Sequence, residues 1–428
     1  MDPYPLYRLV TALSGPALRL LLIKRQRRGK EDAARLGERR GEDDTPRPEG
    51  PLLWCHGASV GECLALLPLV ERLRRDQPQV TILLTSGTVT SADLMAHRLP
   101  EGALHRYIPL DHPAWVARFL DHWRPQAALF AESDLWPNLV EAAAKRAIPL
   151  GLVNARLSDR SHKRWQSYPH LIRRLAGRFS VTLVQTEQDA SRFAGLGFDP
   201  VQVTGNIKFA VPAPSTDAQE VAQAQAALKG RPVWLAASTH AGEEAMAARL
   251  HAGLKADFPG LLTVIVPRHV YRCEAVEQEI APLGLRLQRR SDGEWPGPET
   301  DLFLGDSMGE MGLYCSLAPV VMMGKSFAKG GGQNPIEPAR LESALLWGPS
   351  MSNFADIARR MEAAGAARQV SDEAGLGSAL RQLLADPAHR SAMAQAGIAF
   401  AKGEEAVLDR VFAALDPWWQ GPLGLGAE

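Results

Sequence analysis

The chain has 428 residues, 46% hydrophobic and 22% charged, which suits two ordinary domains, because single cores rarely grow beyond about 250–300 residues. Lys+Arg and Asp+Glu stand at 48 each, so no global field draws the chain to a nucleic acid polymer. The four cysteines, Cys55, Cys63, Cys273 and Cys315, form no C-x-x-C pair, which argues against a disulfide framework or a zinc site.

The first segment carries the charge asymmetry. Up to Lys30 there are seven basic residues (Arg8, Arg19, Lys24, Arg25, Arg27, Arg28, Lys30) against one acid, Asp2. The apolar run Leu9–Ile23 is interrupted by Pro16 and Arg19 and is shorter than the ~20 residues of a spanning helix. It reads as an in-plane or partly inserted anchor whose basic flank keeps the body cytoplasmic. An ordinary first helix packed on the domain is the alternative. Residues 1–40 are therefore expected to form a membrane-associating segment.

From Leu52, short apolar strands alternate with helical stretches: 52–56, 80–86, 105–109, 127–132, 149–154, 181–186 and 201–205. This rhythm predicts a parallel sheet covered on both faces, a first domain over 41–210. The segment 209–219, "FAVPAPSTDAQ", breaks it and is expected to be the interdomain linker. A second alternation follows at 233–238, 261–267, 285–289, 301–305, 319–324 and 344–349, with helices to the end. It predicts a second domain over 218–428, whose last helices have the first domain as an alternative place to pack. The expected fold class is thus α/β, two doubly wound Rossmann-like domains facing across a cleft.

Polar clusters gather just after strands. The first half carries "HGASVGE", "AESDLWPN", "VNARLS" and "TGNIKF"; the second carries "AASTHAGEE", "VPRHVYR", "GDSMGEMGLY", "GGGQNPIEP" and "WGPSMSNF". Ser59 and Glu62 fit an S-x-x-E capping box. Glu62 equally fits a catalytic carboxylate outside a strand's C-terminal end. Ser238–His240 and Gly330–Asn334 look like helix-start sites for a phosphate, and Arg268 adds a fixed cation. Glu243 and Glu244 read as first-turn acids favouring a helix dipole. Glu337 suits either the same role or a ribose diol. No G-x-G-x-x-G follows the first strand and no Walker pattern exists, which disfavours dinucleotide and ATP enzymes.

On "SVGE" (59–62), "ESDLWPN" (132–138), "NARLS" (154–158), "GNIKF" (205–209), "STHAGEE" (238–244), "PRH" (267–269), "MGEM" (308–311), "NPIEP" (334–338) and "NF" (353–354), the sequence resembles the 3-deoxy-D-manno-octulosonic acid (Kdo) transferases of lipopolysaccharide synthesis. The resemblance implies a GT-B fold and an inverting, metal-independent transfer from CMP-Kdo to a lipid A precursor (lipid IVA), with no cofactor, at the cytoplasmic face of the bacterial inner membrane. It implies Glu62 as general base, with Glu132 and Lys208 stabilising charge at the reaction centre. Ser238, Thr239, His240, Arg268, His269, Met308, Gly309, Glu310, Asn334, Pro335, Ile336 and Glu337 would hold CMP. Gln333 stands where the family commonly has His. Two other readings compete: a GT-B enzyme using a UDP- or GDP-sugar, an epimerase included, and a non-catalytic sugar-phosphate-binding membrane protein.

Overall fold

The computed structural model describes residues 2–209, 216–328 and 330–425. Two compact units make up the chain, Met1–Val211 with Glu404–Glu428, and Pro212–Gly403. Most of the expected linker, 210–215, lies outside the described residues, as does Lys329. Asp217 already belongs to structure, its carboxylate capping the helix Ala218–Leu228 through the Gln219 N–H at 2.8 Å.

The first unit holds strands β1 (Leu52–His56), β2 (Thr81–Ser86), β3 (Ala103–Tyr107), β4 (Ala127–Ala131), β5 (Leu150–Ala155), β6 (Phe179–Val184) and β7 (Val201–Val203). They form one sheet in the order β3-β2-β1-β4-β5-β6-β7, every pairing parallel. Side chains alternate between two buried faces, as the pleat requires. Along β1, Leu52 and Trp54 enter one cluster with Phe119, Trp123 and Phe130. Leu53 and Cys55 enter the other with Leu66, Leu129 and Val153. The final helix, Pro387–Leu423, contributes Val407, Val411, Leu415 and Trp419 to that second cluster.

The second unit holds β8 (Val233–Thr239), β9 (Leu262–Pro267), β10 (Leu287–Arg289), β11 (Leu302–Leu304), β12 (Val320–Met323), β13 (Ala344–Trp347) and β14 (Ala367–Gln369). Their order is β10-β11-β9-β8-β12-β13-β14, again parallel throughout. Two parallel, doubly wound sheets match the expected fold class.

Two strand readings shift by two residues at their start, and one strand was not read. The third strand lies at Ala103–Tyr107 rather than 105–109, and the sixth at Phe179–Val184 rather than 181–186. In each case the residues at the far end turn into the next loop. β14 is unannounced in the sequence, since Arg368 and Gln369 are exposed and only Ala367 is buried.

The N-terminal segment forms two helices, Tyr4–Leu13 and Gly15–Gln26, with a 63° bend between them. Neither is long and apolar enough to cross a membrane. Tyr7 donates to Asp111 at 2.8 Å, Asn138 donates to Thr11 at 2.9 Å, and Arg174 lies over the Tyr4 ring. Those contacts fix the first helix to the body while Leu13 and Leu20 stay 73% and 68% exposed.

Strand order reverses between β1 and β4 in the first unit and between β8 and β12 in the second. Crevices at such switch points, outside the strands' carboxyl ends, are where open α/β sheets bind ligands. At the second one the backbones nearly touch: the Gly324 N–H bonds the Ala237 carbonyl at 2.7 Å. A Cβ on Gly324 would lie 2.2 Å from the Ser238 carbonyl oxygen. Gly324→Ala should therefore cost about 1–3 kcal/mol by forcing these backbones apart, read as a lowered urea midpoint at unchanged m-value.

Candidate active site

The chain turn after β1 fixes Glu62. Ser59 caps the helix Val60–Asp76, its hydroxyl oxygen accepting the Glu62 N–H at 3.4 Å. The reciprocal half of the expected capping box is displaced by one residue, because the Glu62 Oε2 accepts from the Ala58 N–H at 2.7 Å rather than from Ser59. Ser59 Oγ instead donates to Oε1 at 2.9 Å. Both oxygens thus receive one neutral donor, and each keeps a second lone pair. Burial lifts the Glu62 carboxyl above its ordinary value, and the charges of Glu132 and Asp134 push the same way, outweighing those two hydrogen bonds.

Glu132 follows β4 with a left-handed backbone, φ 57°, a conformation that costs about 1–3 kcal/mol and collects at functional sites. Its Oε1 accepts from Lys208 Nζ at 2.8 Å. That ammonium lies over Gly61, 3.7 Å from where a Cβ would be, and so beside the start of the Glu62 helix. Lys208 sits on the 3₁₀ turn Ile207–Phe209, held by neighbours from β5 and β6. Asn154 Oδ1 accepts the Ile207 N–H at 3.0 Å, and Asn206 Oδ1 accepts the Lys208 N–H at 3.1 Å. Gln185 bridges them, donating to the Asn154 carbonyl and accepting from Asn206. Asn154 is itself left-handed, φ 52°. The structure therefore brings together Glu62, Glu132 and Lys208.

Two further residues join them. His56, fully buried at the end of β1, has its Nε2 2.9 Å from Asp134 Oδ2 and its Nδ1 2.9 Å from Thr85 Oγ1. Burial pushes Asp134 up, but the hydrogen bond and charge of His56 hold its carboxyl below the ordinary value. Sequence reasoning gave neither a role. The available signals were a histidine directly before the glycine turn and a second acid two residues after Glu132.

In the second unit the switch-point loops are organised around a carboxylate. Glu243, 2% exposed, accepts backbone N–H groups from His240 (2.9 Å), Lys325 (2.7 Å), Ser326 (3.0 Å), Phe327 (3.0 Å) and Ala328 (3.4 Å). Glu244, fully buried, accepts from Thr239 and Arg272, each at 3.1 Å. Both acids stand in the first turn of the helix Glu243–Leu254, as read, and in addition they tie loops together. Ser238 is left-handed, φ 54°, at a register shift in β8. Thr239 is buried, and its carbonyl accepts the Arg268 N–H at 3.0 Å. The Arg268 side chain is exposed.

His240 meets Gln333 at 3.3 Å and stands edge-on to His269, centroids 5.9 Å apart; His269 in turn stacks on Tyr271 at 5.3 Å. Burial lowers the affinity of His240 for a proton. Asn334 caps the turn into Ile336–Arg340, accepting the Ile336 N–H through Oδ1 and donating to Glu337 Oε1, both at 3.1 Å; Pro335 is its N-cap. Met308 is exposed and Gly309 left-handed, whereas Glu310 is engaged by Ser307, by Tyr314 at 2.9 Å and by Arg290 at 3.0 Å. Burial works against it, but these three partners hold its carboxyl below the ordinary range. The arrangement offers a ligand the Met308–Gly309 backbone more readily than the Glu310 carboxylate.

Two doubly wound parallel sheets with polar residues at the switch points define a GT-B architecture. At 14% identity, the structure of a UDP-GlcNAc 2-epimerase from Neisseria meningitidis aligns with a TM-score of 0.56 over 85% of this chain and all of that one, a likeness of fold alone. A family model for 3-deoxy-D-manno-octulosonic-acid transferase (kdotransferase) matches residues 34–211. The 3-deoxy-D-manno-octulosonic acid transferase of Rickettsia bellii is 34% identical over 89% of this chain and 91% of its own. That of Bordetella pertussis is 36% identical over 87% and 89%. This chain belongs to the 3-deoxy-D-manno-octulosonic acid transferase family, and it is a glycosyltransferase acting on Kdo.

Glu243→Ala should leave buried N–H groups unpaired at about 1–3 kcal/mol each. Hydrogen exchange is expected to quicken at Lys325–Ala328 while the amides around Glu62 keep their protection.

Proposed function

We propose that the protein transfers Kdo from CMP-Kdo to a hydroxyl of a lipid A precursor, lipid IVA, with inversion at the anomeric carbon and Glu62 as general base. The observation that carries this reading is the charge arrangement around Glu62. Its proton affinity is raised, and its partners are two neutral donors. A base benefits from a proton affinity brought closer to the working pH.

Glu62 takes the proton of the acceptor hydroxyl as that oxygen bonds to the anomeric carbon. The bond from that carbon to the CMP phosphate oxygen breaks, and its electron pair leaves with the phosphate. Attack opposite the leaving group inverts the centre, the logic of inverting glycoside chemistry with a sugar hydroxyl in place of water. Lys208, paired with Glu132, supplies a fixed charge beside the reacting atoms. In this reading the second unit holds the nucleotide: Ser238, Thr239 and His240 with Arg268 and His269 at the phosphate, Met308–Glu310 along the nucleotide, and Asn334, Pro335, Ile336 and Glu337 at the ribose. Arg268 and backbone N–H groups neutralise the leaving phosphate, so that no metal or cofactor is called on.

The first helices provide attachment to the cytoplasmic face of the inner membrane. Exposed leucines, with Arg19, Lys24, Arg25, Arg27 and Arg28 following or flanking them, suit shallow insertion into an anionic leaflet. Flotation with anionic vesicles should carry the full chain and lose it on deletion of residues 1–30; equal partitioning would reduce the segment to a packed helix.

Glu62→Gln tests the base. The amide oxygen still accepts from the Ala58 N–H and its NH2 donates to the Ser59 hydroxyl, which rotates to accept, but the group takes no proton, so turnover at saturating substrates should fall by ~10²–10⁴-fold. Stability is expected to move the other way. A carboxyl whose proton affinity is raised by folding makes the native state less stable as pH rises through its folded value. At pH 7 the Gln variant should therefore melt no lower than the native protein. Near-normal turnover would leave Glu62 as a capping residue only.

A further inference from the structure

The helix Asp159–Gln166 is the most strongly charged surface left unused by the reaction scheme. It follows β5 directly, after Arg156, and Asn154 at the end of β5 holds the turn that carries Lys208. Arg160 lies six positions after Asn154, so its backbone is no more than about 20 Å from the residue that holds that turn. Arg160, Lys163 and Arg164 stand at i, i+3 and i+4, one stripe of a helix, and all three are exposed, as is Arg156. On the opposite side, Trp165 packs on the core.

The charges on this stripe are uncompensated. The one acid of the helix, Asp159, is taken by Arg192, which also bonds the Leu157 carbonyl. Elsewhere, exposed arginines find carboxylates: Arg249 with Glu373, Arg286 with Glu299 and Arg359 with Asp356. Among the described residues, no carboxylate lies within ion-pair distance of Arg160, Lys163 or Arg164. Three like charges in one turn repel each other and weaken the helix. An anionic ligand would reverse that. Tyr168, 53% exposed, adjoins the stripe with an apolar ring and a polar tip, the type of side chain suited to a lipid–water boundary.

We propose that Arg160, Lys163 and Arg164 receive the phosphate head group of the lipid acceptor and so select a phosphorylated lipid for the hydroxyl at Glu62. Guanidinium groups bind phosphate with paired, charge-assisted hydrogen bonds. The proposal rests on reading the acceptor as a lipid A precursor.

The test compares the native protein with the triple variant Arg160→Gln, Lys163→Gln, Arg164→Gln, using phosphorylated and enzymatically dephosphorylated lipid A precursor in neutral detergent micelles. The expected result is a KM for the phosphorylated acceptor raised roughly tenfold, with kcat within about twofold. The KM for CMP-Kdo and the rate with dephosphorylated acceptor should be unchanged. A charge-keeping variant, Arg160→Lys with Arg164→Lys, should show a KM between those of the native protein and the triple variant, because the charge stays while the paired hydrogen bonds are lost. Equal KM values for native and triple variant would overturn the proposal. So would a variant that loses only flotation on anionic vesicles, since the stripe would then serve the bulk bilayer. A direct binding arm keeps the two readings apart. If the native protein transfers no Kdo, the reaction scheme fails, and selective retention of phosphorylated over dephosphorylated lipid by the native protein but not by the triple variant still decides the surface.

Discussion

Three carboxylates crowd the ends of β1 and β4, and the structure depends on how their charge is shared out. Glu132 has Lys208 at 2.8 Å and Asp134 has His56 at 2.9 Å. Glu62 has two neutral donors and no cation of its own in hydrogen-bond contact. Compensating two charges leaves the third as the group that burial and like-charge repulsion push upward. Titratable groups driven apart by their surroundings are how acid and base roles are assigned within one site. The compensation must be held rigidly. The Lys208 turn is therefore tied to Asn154, Asn206 and Gln185, and through them to β5 and β6.

The same element serves a different end in the second unit. Glu243 is also a carboxylate at the start of a helix, yet five backbone N–H groups occupy it and it is almost inaccessible. It cannot meet a substrate and instead moulds the loop after β12 against the end of β8. That loop approaches Ser238 so closely that glycine is the residue that fits at Gly324. One unit thus leaves a carboxylate free to react, and the other encloses one to shape a backbone.

Much of this was legible in the residues. Apolar runs bounded by turn residues marked thirteen of the strands, and the polar motifs after them marked the switch-point loops. Strands with weak apolar content were not legible: β14 has a single buried residue. Charge partners were also hidden. His56 reads as the polar end of a core strand, and its bond to Asp134 exists because β1 lies beside β4, a fact of sheet order rather than of sequence spacing. For the same reason Glu243 read only as a first-turn acid, although a loop more than 80 residues further on also covers it. The displaced capping contact at Glu62 depends on the backbone path at Ala58, which the S-x-x-E spacing alone does not fix.

The pH dependence of kcat/KM for Kdo transfer, measured alongside the Glu62→Gln variant, tests the central assignment most directly. The account predicts a single acidic limb in the native enzyme with a midpoint above the ordinary glutamate value of 4.5, because Glu62 must be ionised to accept the proton. The residual activity of the variant should lack that limb. A native profile that stays level through this range, or an unchanged limb in the variant, would contradict Glu62 as the base.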